Sequence, residues 1–171
     1  MTGHTYVVRD SYFAGTLTAN FNFGGLIGGH RSDNDINFLV VRSYSAGALG
    51  ACNDTSSNFT SGFAGSNCGG GLVGAYYATV GTRARGSEAI ASFWDSQRGG
   101  ISATFIYPHS SGTPSTPRSG AFARTTAQMQ DQGANIYTAG TGEEVWDFTA
   151  GTGVWKWPAA GGYPILRWQT E

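Results

Sequence analysis

Apolar and polar residues alternate in short glycine-bounded blocks along the first part of the chain. In Val8-Arg9-Asp10-Ser11-Tyr12-Phe13-Ala14-Gly15-Thr16-Leu17 an extended backbone puts Tyr12, Ala14 and Thr16 on one side and Phe13, Gly15 and Leu17 on the other. The block returns as Val41-Arg42-Ser43-Tyr44-Ser45-Ala46-Gly47-Ala48-Leu49. A second element follows each time, Gly24-Gly25-Leu26-Ile27-Gly28 and then Gly70-Gly71-Leu72-Val73-Gly74. A third Ser-aromatic block, Ser92-Phe93-Trp94-Asp95, comes after Ile90. Helical periodicity is absent throughout this region.

Each block carries too few apolar side chains to make a core alone. Laid parallel on one another, the same positions would form continuous internal ladders. The fold class this predicts is all-β: a right-handed parallel β-solenoid (β-helix) with a short helix and an aromatic-rich C-terminal cap. Glycines beside Leu26-Ile27 and Leu72-Val73 are expected to let the backbone turn at both ends of a short buried strand. From Ser11 to Leu26 is 15 residues and from Ser43 to Leu72 is 29, so the second block carries 14 extra residues. They fall within Cys52 to Cys68, a polar, turn-rich segment read as an extruded loop, either a binding loop or a merely decorative one.

Beyond Gly99 the pattern dissolves. Ile101 to Tyr107 still reads as a strand, and Pro108 to Pro117 as an extended loop. Thr125 and Gln128 have capping-box spacing, which predicts a helix of about two turns, with Met129 facing the stacked strands and Gly133 as its stop. Then come Tyr137, Val145, Trp146, Phe148, Val154, Trp155, Trp157, Tyr163, Ile165, Leu166 and Trp168. This aromatic set either plugs the open end of the stack, the favoured reading, or forms a stacking platform for sugars. The organisation expected is residues 1–98 as repeat blocks, with the loop at 52–68, and 99–171 as loop, helix and cap of the same unit.

Composition narrows the function. The chain has 171 residues, only 12% of them charged, and a net charge of -1. That argues against nucleic-acid binding, and Arg83, Arg85, Arg118 and Arg124 are scattered rather than clustered. Glycine supplies 27 residues and aromatics 13%, the balance of a folded chain and not of a disordered one. No apolar run is long enough to span a bilayer. Met1-Thr2-Gly3-His4 lacks the basic start and apolar stretch of a leader, so the expectation is a piece of a longer chain, with any export signal outside it.

Cys52 and Cys68 are read as a disulfide, with two separate buried thiols as the alternative. The bridge would close a 17-residue loop, contribute roughly 3 kcal/mol, and imply an oxidising compartment. Ser32-Asp33-Asn34-Asp35 resembles part of a calcium loop without the closing glutamate, so Asp33 and Asp35 are calcium candidates, with an Asx turn as the alternative. No two carboxylates recur at matching positions beside a basic residue, and Gly-x-Ser-x-Gly is absent; no catalytic residue and no cofactor are expected.

On these residues the chain resembles the bacterial proteins that carry the GLUG motif. Ser11-Tyr12 with Gly25-Leu26-Ile27-Gly28 looks like one unit, and Ser43-Tyr44 with Gly71-Leu72-Val73-Gly74 like the next. Ser92-Phe93-Trp94-Asp95, Thr125 to Met129, Val145-Trp146-Asp147-Phe148, Trp155 and Gly162 to Gln169 are similar to the close of such arrays. The resemblance implies a parallel β-solenoid, secreted or displayed on a bacterial surface, and no defined catalytic activity. The expected function is therefore a non-catalytic extracellular structural or adhesion module. Its partner would be a cell-surface or matrix glycan or protein, or another copy of itself. Asn53, Asp54, Phe59, Phe63, Trp155 and Trp157 are the candidate ligand contacts. The alternatives are a carbohydrate-binding module using exposed tryptophans, a self-assembling filament subunit and a polysaccharide-cleaving enzyme.

Overall fold

A computed structural model describes residues 4–18, 23–28, 30–32, 36–49, 69–78, 88–99, 106–109, 120–139 and 141–170. The chain makes successive passes of short strands. The first pass holds β1 (His4–Arg9), β2 (Tyr12–Phe13), β3 (Thr16–Leu17), β4 (Phe23–Gly24) and β5 (His30–Ser32). The second holds β6 (Ile36–Val41), β7 (Tyr44–Ser45), β8 (Ala48–Leu49), β9 (Gly69–Gly70) and β10 (Val73–Ala78). The third holds β11 (Glu88–Ile90), β12 (Ser92–Asp95) and β13 (Ile106–His109), and β14 (Ala121–Arg124) follows.

Strands of neighbouring passes pair in parallel, giving sheets ordered β1-β6-β11, β13-β10-β5 and β14-β12-β7-β2, with the pairs β3-β8 and β4-β9. The sequence repeat appears here as register. Tyr12 lies opposite Tyr44, Tyr44 opposite Phe93, and Phe93 opposite Phe122. A serine column runs beside them. The Ser11 N–H donates to Ser43 Oγ at 3.1 Å, and the Ser43 N–H to Ser92 Oγ at 3.3 Å. Each hydroxyl in turn donates to a backbone carbonyl two residues earlier. Serine suits this place because one hydroxyl both accepts from the neighbouring pass and donates within its own.

Just before each serine the chain turns through the left-handed region: Asp10 has φ 47°, Arg42 φ 43° and Ala91 φ 44°. Left-handed backbone costs a non-glycine residue about 1–2 kcal/mol. Packing and hydrogen bonds from the next pass hold it in place. The Asp10 N–H donates to Val41 O, and the Arg42 N–H to Ile90 O.

The chain bends at Gly25-Leu26 and Gly71-Leu72 as expected, and the glycines there have a further role. Gly25 and Gly71 are not in the positive-φ region. A Cβ on Gly25 would sit 2.0 Å from Ser45 Oγ, and one on Gly71 would sit 2.2 Å from Trp94 Cγ. Glycine is needed because the opposite wall comes so close. Val40, Leu72, Val73, Ala89 and Trp94 form the buried cluster between these walls, with Leu26 and Ile27 packed against it.

The expectation of an all-β, right-handed parallel β-solenoid is corrected by this architecture. The fold is mixed: several separate parallel sheets of short strands, an α-helix, two 3-10 turns and an antiparallel pair, with no closed solenoid shown among the described residues. The physical reason lies after β14, where local capping signals replace the repeat. Thr125 caps helix α1 (Thr126–Gln130) through a complete capping box with Gln128, and Met129 is fully buried. The helix is shorter than expected. It ends at Asp131, whose carboxylate accepts the Gly133 N–H in a turn. The 3-10 turns Asn135–Tyr137 and Gly142–Glu144 follow, then β15 (Trp155–Lys156) antiparallel to β16 (Ile165–Leu166).

A second correction concerns Pro108 and His109, which belong to β13 and not to a loop. β13 is the outer strand of its sheet, where a proline without an N–H is tolerated. The expected strand residues 101–105 and the loop residues 110–117 lie outside the described residues.

Candidate functional site

Alternation gives the β14-β12-β7-β2 sheet two apolar faces. Trp94 points into the cluster of Leu72 and Val73, whereas Tyr12, Tyr44 and Phe93 point the other way. The C-terminal segment covers that second face. Trp155 packs on Tyr12 and Tyr44, with ring centroids 6.2 and 5.9 Å apart, and Trp146 packs on Tyr44 and Phe93 at 6.2 and 5.9 Å. Tyr12 Oη donates to Gln169 Oε1, Tyr44 Oη to Pro164 O and Trp146 Nε1 to Ala91 O. Partners therefore come from β2, β7 and β12 in turn. A plug over an open end would meet the last strand alone, so the aromatic-rich segment is a side wall rather than the end cap the sequence suggested.

Asp95 joins three elements of this wall. Its carboxylate accepts the Gln97 and Arg98 N–H groups from its own turn, Thr126 Oγ1 from α1 at 2.6 Å, and Tyr163 Oη from the C-terminal segment. Burial by itself would raise its pKa. The hydrogen bonds from Thr126, Tyr163, Arg98 and Gln97 outweigh burial and hold the carboxyl below its ordinary value. Tyr163 is raised by burial and by the carboxylate beside it, and burial likewise raises Tyr44 and Tyr137. With four donors converging on one carboxylate, Asp95 serves to tie β12, α1 and the C-terminal segment together. Asp147, also preceded by a tryptophan, is exposed and accepts the Thr149 N–H within a turn.

The second charged feature is the Asp10–Arg42 pair, bidentate at 2.8 and 2.9 Å, with both side chains largely buried. It links the left-handed residues of two passes. Sequence reasoning missed it, although Asp10 and Arg42 stand in equivalent places ahead of Ser11 and Ser43 and so were positioned to meet.

Among the candidate ligand contacts, Trp155 is fully buried. Trp157 is half-buried, stacked on Phe148 at 5.5 Å and edge-on to Tyr137. The structure brings these two tryptophans into one aromatic cluster and uses both as packing. Trp94 and Trp146 are buried as well, which leaves Trp168, 78% exposed, as the tryptophan open to solvent. Asn53, Asp54, Phe59, Phe63, the Cys52 and Cys68 pair and the calcium candidates Asp33 and Asp35 lie outside the described residues. Among the described residues no group of three or more His, Cys, Asp or Glu side chains could hold a metal, and no helix is long and apolar enough to cross a membrane. The chain matches no protein-family model, no curated protein and no solved structure.

Proposed function

We propose that this chain is a non-catalytic structural and adhesion module acting outside a bacterial cell, where it contacts a surface or matrix partner. What carries the reading is the use of the distinctive residues. The repeated serines, tyrosines and glycines and the carboxylates Asp10 and Asp95 are engaged in holding strands and side wall together. The GLUG-type motifs at Ser11-Tyr12, Ser43-Tyr44 and the two Gly-Gly-Leu elements support the same assignment. The test is adhesion of the purified chain to cells and to matrix-coated surfaces, with a deletion of Asn53 to Asn67 as the comparison. Saturable binding that falls at least tenfold in the deletion is the expected result. Absence of binding to every surface, or release of sugars from a polysaccharide panel, would overturn the proposal.

A second reading, carbohydrate recognition, is favoured by one observation, the 78% exposure of Trp168. An exposed indole offers an apolar face to a sugar ring. Iodide should quench Trp168 far more than the buried Trp94, Trp146 and Trp155. Trp168→Phe should remove most of the quenchable emission, and a bound glycan should protect it. Unchanged quenching at saturating glycan, across an array, would dismiss this reading.

A further inference from the structure

Besides Val154 and Trp168 of the C-terminal segment, the large apolar side chains left exposed among the described residues lie on outermost strands. Tyr6 and Val7 of β1 are 54% and 51% exposed, and Phe122 of β14 is 44% exposed. β1 and β2 are edge strands at one end of the stacked passes, and β11 and β14 are the opposite edges of the same two sheets. Hydrogen-bond direction shows what the first edge offers. The carbonyls of Ser11, Phe13 and Gly15 accept the N–H groups of Tyr44, Ala46 and Ala48 in the second pass. In a strand, residues alternate in the side to which N–H and C=O point, so the groups of Tyr12 and Ala14 face outward, and no described strand pairs there. By the same parity, Ala121 and Ala123 of β14 direct their groups outward from the other end. The column Tyr12, Tyr44, Phe93, Phe122 thus begins at one edge and stops at the other in matching register.

Open edges of this kind are usually blunted by proline, charged side chains, a bulge or shortness of the strand. One edge of this protein follows that rule. β13 carries Pro108, and its pairing with β10 is interrupted by a register shift. β1, β2 and β14, with the sequences HTYVVR, YF and AFAR, hold no proline, and their arginines, Arg9 and Arg124, stand at the last position of β1 and β14, Arg124 with its guanidinium 4.9 Å from the centre of the Phe122 ring.

We propose that these two proline-free edges bind each other between copies of this chain: β14 of one copy pairs in parallel with β2 of the next. Phe122 then extends the column that Tyr12 begins, as Tyr12 extends over Tyr44 with ring centroids 5.0 Å apart and planes 10° apart. The Ala121 N–H meets Ser11 Oγ, repeating the contact from Ser11 to Ser43. The contact is heterologous, so it leaves one edge of each type free at the ends of any open assembly and grows by addition. A pairing of such short strands buries little surface and belongs to the weak class of interfaces.

Sedimentation velocity over concentrations up to about 1 mM tests this, since weak association becomes populated there. The wild-type chain should shift from monomer to a series of larger species as concentration rises. Ala14→Pro removes an outward N–H at the first edge, and Phe122→Lys places a charge at the second. Each should be monomeric alone, and an equimolar mixture should form a dimer and stop, because each variant keeps the edge the other has lost. Ala14→Lys, a charge at an exposed position of the same edge, replaces Ala14→Pro if circular dichroism shows that the proline variant does not fold. A wild type that stays monomeric, or variants whose mixture does not dimerise, would refute the proposal. No outside partner enters the experiment, so its outcome is independent of the adhesion assay.

Discussion

Replacing Gly71 by alanine tests the role assigned to the Gly-Gly-Leu elements. A Cβ at position 71 would lie 2.2, 2.4 and 2.5 Å from three atoms of the Trp94 ring system, whereas ordinary contact begins near 3.4 Å. The ring would have to retreat by about 1.2 Å, the difference between 3.4 and 2.2. It has little room for this, because Trp94 is only 4% exposed and packs with Leu72, Val73 and Val40. Overpacking of this kind costs roughly 1–3 kcal/mol, and the rigid indole places Gly71→Ala at about 3 kcal/mol. Trp94→Ala alone should cost about 3–5 kcal/mol by leaving a cavity. In the Trp94→Ala background the alanine at 71 meets empty space. There its cost should vanish or turn into a gain of about 0.5–1 kcal/mol, the ordinary preference for alanine over glycine. The coupling energy is then about 3 kcal/mol or more, well above the ordinary error of additivity. Urea unfolding followed by far-ultraviolet circular dichroism measures all four proteins, and constant m-values license the comparison. An equal cost for Gly71→Ala in both backgrounds would refute the reasoning, since glycine would then be needed for its backbone and not for the approach of Trp94.

Two further perturbations address the charged groups. Asp95→Asn should destabilise the protein by about 1–3 kcal/mol at neutral pH, because hydrogen bonds to a charged acceptor are lost. Asp95 has its pKa lowered in the folded state, so its contribution is fully present above the unfolded value near 3.8 and is lost as pH falls through the lower folded value. Urea midpoints of the wild type should therefore fall through that acid range, with a smaller fall in Asp95→Asn; parallel curves would contradict the role given to the carboxylate. At Arg42 the order of substitutions should invert the usual one. Arg42→Ala loses the ion pair with Asp10 and keeps a side chain at φ 43°, whereas Arg42→Gly loses the pair and relieves the backbone. The glycine variant should be the more stable by about 1 kcal/mol in urea unfolding, and an alanine variant of equal or greater stability would show that the left-handed geometry carries no strain.

What the sequence disclosed, and what it hid, divides along the line between spacing and distance. The parallel pairing of Tyr12 with Tyr44, and of Tyr44 with Phe93, was legible because spacing in the chain repeats and register follows from the repeat. The capping box at Thr125 was legible because it is a contact across three residues. Closure was not legible. A repeat in sequence fixes which strands meet and leaves open how the sheets join, so the inferred solenoid went beyond what the pattern could carry. The role of Gly71 was hidden because its reason, Trp94, stands 23 residues further on and approaches only after folding. The tryptophans misled for a related reason: burial is set by what lies opposite, and an aromatic-rich tail reads the same whether it faces solvent or Tyr12, Tyr44 and Phe93. That face explains why so many rings are needed. A column of aromatic side chains across three strands presents a flat, apolar surface, and loops with polar caps cannot cover it. Trp146 and Trp155 cover it with large rings whose indole nitrogens still reach polar partners, Ala91 O and Asp10 Oδ1, at the turns between the strands. The side wall is thus fitted to the repeat that precedes it, and the two parts of the chain share the core on this face of the sheet.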